Sequence, residues 1–239
     1  MQLLHWLSIE NTLFTIPLGS GYNLSWIEAI ATVFGLMCIW CASQAKIINF
    51  LFGIINVVLF ACIFYQIQLY GLLLLQIFFL VANIYGWYAW QQKNESSGKL
   101  LSIRWLSYKQ QLAIALFWLV SIILLCINID LVFQSFTDLV IKAINLTGAN
   151  LEPIIIEPDA FPLWDAAITV TSVIAQILMT RKFVENWFLW VIVNIISVGI
   201  YIAQGVYFLA LEYAILLFVA GNGARLWVNA AGKTHNPTS

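Results

Sequence analysis

Charge is scarce in this chain. Of 239 residues only 10 are Lys or Arg and 11 are Asp or Glu, so 9% are charged against 62% hydrophobic, where soluble domains carry about a quarter. With a mean hydropathy of +0.92, a water-soluble enzyme and a nucleic-acid-binding module are both excluded. Histidine is scarcer still. His5 and His235 lie in the terminal segments, which leaves no imidazole in the apolar spans for a metal centre or proton relay. There is no Gly-x-x-x-x-Gly-Lys-[Ser/Thr] loop for nucleotide phosphates, no His-Glu-x-x-His and no Gly-x-Ser-x-Gly elbow, so neither an ATPase nor a hydrolase is supported. No span carries the Arg ladder of a voltage sensor. The four cysteines sit in apolar runs; Cys38-Ile-Trp-Cys41 has a redox spacing without the βαβ context that gives it meaning, and reads as small buried hydrophobes. No catalytic residue, metal or cofactor is expected, and the chain is not read as an enzyme.

What is abundant is apolar sequence in long runs. A spanning helix needs about 20 such residues, and runs of that kind lie near 24–43, 47–65, 70–91, 109–129, 163–180, 185–204 and 207–228. The expected fold is therefore an all-α integral membrane protein with seven transmembrane helices. Residues 1–23 form an N-terminal interfacial segment, with a helix expected over 1–20 and anchored by Trp6 and Phe14, in place of a signal peptide or an eighth span. Seven spans place Lys46, Lys93, Lys99, Arg104, Lys109, Arg181, Lys182, Arg225 and Lys233 at one face and Lys142 alone at the other. By the positive-inside rule the first face is cytoplasmic, giving the N-terminus outside and the C-terminus, with its tail 229–239, inside. The loop 130–162, punctuated by Pro153, Pro158 and Pro162 and carrying Asp130, Asp138, Glu152, Glu157 and Asp159, then falls outside.

The chain also repeats. A shift of about 138 positions lays residues 24–91 over 163–228: Asn49, Phe52 and Asn56 meet Trp187, Trp190 and Asn194, while Glu28, Asn83 and Trp90 meet Asp165, Asn222 and Trp227 to within one position. One unpaired span lies in the segment 92–129 between them, so both copies begin on the same side and the arrangement is 3+1+3 with parallel three-helix repeats. Carriers built from repeats hold substrate near the midplane, between the copies. Seven polar side chains stay in the spans at a cost: Asn56, Gln76, Asn83, Asn194, Gln204, Glu212 and Asn222. Trp187, Trp190, Asn194 and Tyr201 share one helical stripe about 60° wide, and Gln76, Asn83 and Trp87 share another. A ladder of aromatic faces suits a flat or cationic ring, and amides suit its polar groups. Glu212, placed like Gln76 in the second copy, can counter a cation or hold a proton; Asn56 and Asn222 complete the candidate lining. Amide links between helices and interfacial tryptophans are the competing structural roles.

Trp187-x-x-Trp190-x-x-x-Asn194-x-x-x-x-x-x-Tyr201, with Gln76-x-x-x-x-x-x-Asn83 in the first half, resembles the signature of the PnuC family of bacterial nicotinamide riboside transporters. The resemblance spans 24–228. It implies the architecture of SWEET sugar transporters, a homotrimer in the bacterial inner membrane, and facilitated diffusion of the riboside, drawn onward by its phosphorylation for NAD synthesis. It also implies that Trp187, Trp190, Asn194, Tyr201, Gln76 and Asn83 touch the substrate. Thiamine, riboflavin or a sugar on the same scaffold are the alternative substrates; a receptor-like membrane protein without transport is the alternative class. Beyond substrate, lipid and its own copies, no partner is expected, nucleic acid included.

Overall fold

The structure is a computed structural model and describes residues 8–16, 22–67, 70–92, 101–148, 150–156, 158, 161–205 and 207–235. Among these, a short hairpin of β1 (Thr12–Ile16) and β2 (Tyr22–Ser25) precedes seven helices: α1 (Trp26–Ser43), α2 (Asn49–Gln66), α3 (Tyr70–Gln91), α4 (Tyr108–Asn145), α5 (Pro162–Thr180), α6 (Glu185–Ala203) and α7 (Tyr207–His235). Six of the helices each hold, among the described residues, an 18-residue window apolar enough to cross a membrane, and α3 is 22 residues long without a charged side chain. This is an all-α membrane protein.

Local sequence explains where the helices begin. Ser25 caps α1, its hydroxyl accepting from the Glu28 amide at 3.3 Å, and Glu28 meets the positive end of the helix dipole. Ser107 and Gln110 form a capping box at the start of α4, and Pro162 opens α5, where its missing N–H costs nothing.

Two expectations change. Over residues 12–16 the chain is strand, not interfacial helix: Thr12 to Ile16 pairs antiparallel with Tyr22 to Ser25, as befits a run of β-branched and aromatic residues. Trp6 lies outside the described residues, as does the side chain of Phe14. The second change concerns α4, which does not stop at 129. It bends at Asn128 (φ −119°, ψ 17°) and continues to Asn145, so the outer loop starts some 16 residues later than the sequence reading places it. The extension is amphipathic. Ile129, Thr137, Val140 and Ile141 are buried, while Asp130 and Asp138, assigned to the loop in the sequence reading, lie with Lys142 on its exposed face. Residues 150–156 fold back along it, held where the Gln134 amide donates to the Ile154 carbonyl at 2.8 Å and accepts from the Ile156 amide at 2.9 Å.

Within each repeat the helices pack in sequence, α1 on α2 on α3 and α5 on α6 on α7. Between repeats, α1 meets α7 and α3 meets α5. Exchanging the two copies turns one of these contacts into the other, as a two-fold axis between them requires. Helix α4 packs against α5 and α3, and leaves Leu116, Phe117, Leu124 and Ile127 more than half exposed to the surroundings.

The structural register of the repeat is 137 positions, not about 138. Asn49 corresponds to Asn186: each is fully buried in the first turn of its helix and donates from Nδ2 to the carbonyl three residues back, Lys46 at 2.7 Å and Phe183 at 2.6 Å. Ala45 and Lys182, also 137 apart, both take positive φ, 53° and 56°, in the turns before these helices. In this register Glu28 matches Asp165, Phe50 matches Trp187 and Trp90 matches Trp227, whereas Asn56 falls opposite Val193. Turn geometry and ring packing set the register. The mid-span amides that suggested 138 do not occupy equivalent places.

Candidate functional site

The stripe on α6 runs against α7 and divides into parts with different surroundings. Trp187 is 1% exposed and packs over Gly223, its ring edge-on to Trp227 at 5.7 Å between centroids. Its indole N–H is buried without a partner. One turn on, Trp190 is partly exposed at the margin of the same cluster, where Trp87 of α3 also packs. Asn194 is 5% exposed and donates from Nδ2 to the Trp190 carbonyl at 2.8 Å, which aligns its amide along the helix. Ser197, 1% exposed, has an unpartnered hydroxyl. Tyr201 stacks on Tyr213 of α7 with centroids 5.3 Å apart and rings 25° from parallel.

On α3, Gln76 is partly exposed and Asn83 is 4% exposed. Asn83 donates to the Phe79 carbonyl at 2.8 Å, and its Oδ1, buried and unpaired, rests against Gly53 of α2 beside the Cys38 thiol. A side chain on Gly53 would occupy the place of that oxygen. An unpaired buried polar atom costs about 1–3 kcal/mol. Asn83 Oδ1, Trp187 Nε1 and Ser197 Oγ together offer acceptor and donor capacity to a ligand or to water.

Other expected members are elsewhere. Asn56 donates from Nδ2 to the Ala31 carbonyl at 2.8 Å, over Gly35, and so links α1 to α2. Glu212 hydrogen-bonds Thr32 of α1 and lies within electrostatic reach of Glu28, in the seam between α1 and α7. Asn222 is partly exposed on α7. The residue that matches Gln76 in the 137 register is Tyr213, not Glu212. Tyr213 escaped the sequence reading because its signal, a tyrosine 137 positions from a candidate glutamine, depends on the correct register.

Cations gather at one end. Strand-like residues near Arg104 join the turn between α5 and α6: the Arg104 amide donates to the Lys182 carbonyl at 3.1 Å and the Val184 amide to the Arg104 carbonyl at 3.0 Å. Glu185 accepts from the Leu106 amide and from Gln111, both at 2.9 Å. Lys182 donates to the Leu101 carbonyl at 3.0 Å and holds its ammonium 4.4 Å from the Trp90 ring centroid, while burial pulls its pKa below the usual lysine range. The turns after α1 and α5 and the segment before α4 therefore share one end, where Lys46, Arg104, Lys109, Arg181 and Lys182 also lie. Lys93 and Lys99 fall outside the described residues, as does the side chain of Lys233. Among the described residues no group of His, Cys, Asp or Glu could hold a metal.

A membrane bundle with aromatic faces and unpaired amide, indole and hydroxyl atoms buried within its two like halves fits a carrier of a small solute, and the relatives of the chain are named as transporters. The model of the nicotinamide mononucleotide transporter family matches residues 25–229. The chain belongs to this family. It is 51% identical over 225 residues to the nicotinamide riboside transporter PnuC of Escherichia coli (strain K12), covering 94% of each chain, and to that of Shigella flexneri at the same identity and coverage. A crystal structure of the vitamin B3 transporter PnuC shares its fold, with a TM-score of 0.55 at 24% identity over 87% of this chain and 83% of the other. Family membership makes this a multi-pass membrane protein whose relatives are named as transporters, on a fold already solved in one of them.

Proposed function

We propose that this protein is a uniporter for nicotinamide riboside in the bacterial cytoplasmic membrane. Two observations support it: Trp190 and Trp87 pack as partly buried rings against one aromatic cluster, and the same helices carry the buried, unpaired polar atoms of Asn83, Trp187 and Ser197. A pyridinium ring stacks on indole through dispersion and cation–π attraction. Its carboxamide and the ribose hydroxyls supply both donors and acceptors. Trp187, Trp190, Asn194, Tyr201, Gln76 and Asn83 form the contact set. Trp187 contributes its N–H more than its ring face, because that ring is already committed to Trp227.

The family is named for the mononucleotide and the two relatives for the riboside; the charge pattern favours the riboside. A phosphate carries close to two negative charges and needs Arg, Lys or a helix N-terminus in a site away from water. The described lysines and arginines sit at the basic end or on exposed faces, and none lies in the stripes of α3 or α6. A cationic ring bearing a neutral ribose needs no such partner. Phosphorylation inside then traps the riboside and draws uptake forward. Uptake is passive: the spans hold no histidine, and Glu212, within electrostatic reach of Tyr201 and Tyr213, is tied by a hydrogen bond to Thr32 of α1. The chain assembles as a homotrimer, with the apolar face of α4 turned to lipid or to a neighbouring copy.

Titration calorimetry of the purified protein with nicotinamide riboside, nicotinamide mononucleotide, thiamine, riboflavin and glucose tests the substrate. The riboside should bind at least ten times more tightly than each of the others. Preference for the mononucleotide overturns the charge argument, and preference for thiamine or riboflavin keeps the ring ladder but changes the vitamin. In proteoliposomes the riboside should equilibrate; accumulation under an imposed pH difference, abolished by Glu212→Gln, replaces uniport by proton coupling.

A further inference from the structure

In a carrier built from parallel repeats the solute travels between the copies, so whatever seals the inter-repeat boundary at one end is the barrier there. At the basic end this boundary is filled by rings. Phe50, Trp90, Trp227 and Trp187 follow one another in contact, with centroids 4.8, 6.1 and 5.7 Å apart, and none is more than 3% exposed. The series is symmetric: Phe50 and Trp187 are equivalent in the repeat, and so are Trp90 and Trp227. The middle pair also bonds across the boundary in both directions. Trp90 of the first repeat donates from Nε1 to the Thr180 carbonyl of the second at 3.2 Å; Trp227 of the second donates to the Ser43 and Ala42 carbonyls of the first at 3.1 and 3.2 Å. Ser43 and Thr180 are themselves equivalent and are 1% and 2% exposed.

We propose that Trp90 and Trp227 are the paired bolts of a gate at the basic end, closed in this conformation, and that solute reaches that side only when both indoles release their carbonyl acceptors across the boundary. This rests on the transport reading above. Four features support it. The bonds end on the last turns of α1 and α5, the helices that must move apart for a path to open along the repeat axis. All three acceptors are main-chain carbonyls, so side-chain rotation on the partner helix cannot release them. Lys182 covers the Trp90 ring and is tied to the Leu101 carbonyl, which links the bolt to the segment preceding α4. Finally, Trp187 ends the ring series one turn from Trp190, so a solute ring stacked on Trp190 adjoins the gate without being part of it.

The test reads access to Cys38, whose thiol lies beside Gly53 and Asn83, one turn from Ala42 and on the site side of the rings. In a background with Cys41, Cys62 and Cys126 replaced by Ser, a charged, membrane-impermeant methanethiosulfonate is applied separately to each face of vesicles of known orientation. Lipid shields the outer helix surfaces from such a reagent, so labelling reports an aqueous path. Trp90→Phe with Trp227→Phe keeps ring packing and removes both donors. Labelling of Cys38 from the side bearing the C-terminus should then accelerate roughly five- to thirty-fold, the effect of losing two neutral hydrogen bonds, without acceleration from the opposite side. Should the double variant not elute as the parent does, each single Phe variant, which keeps one bolt, should give a smaller rise on the same side. Unchanged labelling in variants that elute as the parent does, or an equal rise from both sides, overturns the gate. Failure of the parent to take up nicotinamide riboside would count against the transport reading alone, because labelling is read without the riboside.

Discussion

The polar residues that made the spans unusual play at least three roles, and single substitutions separate them. Trp190→Ala should raise the dissociation constant for nicotinamide riboside ten- to hundred-fold in calorimetry, as losing a stacked ring and its burial removes about 1–3 kcal/mol. Asn194→Leu should cost a similar amount if it leaves a ligand group unpaired. Phe218→Ala, on a side chain 76% exposed on α7, should leave binding within about two-fold of the parent. Should the first two variants also bind as the parent does, the stripe is packing. Asn56→Leu should do the opposite. Its amide bonds the Ala31 carbonyl inside the first repeat, so the variant should lose roughly 0.5–2 kcal/mol of stability with affinity intact; a large loss of affinity would return Asn56 to the site.

At the scale of the helix pair, two glycines let rings sit against a backbone. A methyl on Gly86 would collide with the Phe50 ring, and one on Gly223 would come within 2.6 Å of the Trp187 ring. Both rings are fully buried, so neither can swing aside without moving its neighbours. Gly86→Ala and Gly223→Ala should each lower stability by about 1–3 kcal/mol, by comparable amounts because the positions are equivalent in the 137 register. Unfolding in mixed detergent micelles measures both. A neutral result at one position and a severe one at the other would mean that the two seams are not the same contact made twice. Sequence alone shows the glycines; that their missing side chains face these rings emerges only once α2 lies against α3 and α6 against α7.

For the whole molecule the question is which way it sits. The basic end carries the turns after α1 and α5 and the start of α4, and we propose from the positive-inside rule that it faces the cytoplasm. A reporter fused after Ser239 should be active only in the cytoplasm, and one inserted beside Gly148, just beyond the end of α4, only outside. The reverse pattern would invert the molecule and place the proposed ring gate on the outer side. An equal signal on both sides would indicate dual topology.

What the sequence determined by itself follows from the bilayer. Apolar runs near 20 residues and the gathering of lysine and arginine outside them are forced by the cost of placing backbone and charge in hydrocarbon, so they are legible without coordinates, and the repeat is legible in the order of its residues. The stripes on α3 and α6 were visible for the same reason, since one helix fixes which of its own residues share a face. Partners across a seam are another matter. That Asn56 bonds within its own repeat, that Trp187 turns its ring to Trp227, that Tyr213 is the counterpart of Gln76 and that Trp90 and Trp227 reach into each other's repeats depend on helix rotation and axial offset. A shift of a single residue rotates a side chain by about 100° around its helix; only the packed tertiary structure settles that offset, through turns such as Ala45 and Lys182 and rings such as Phe50 and Trp187.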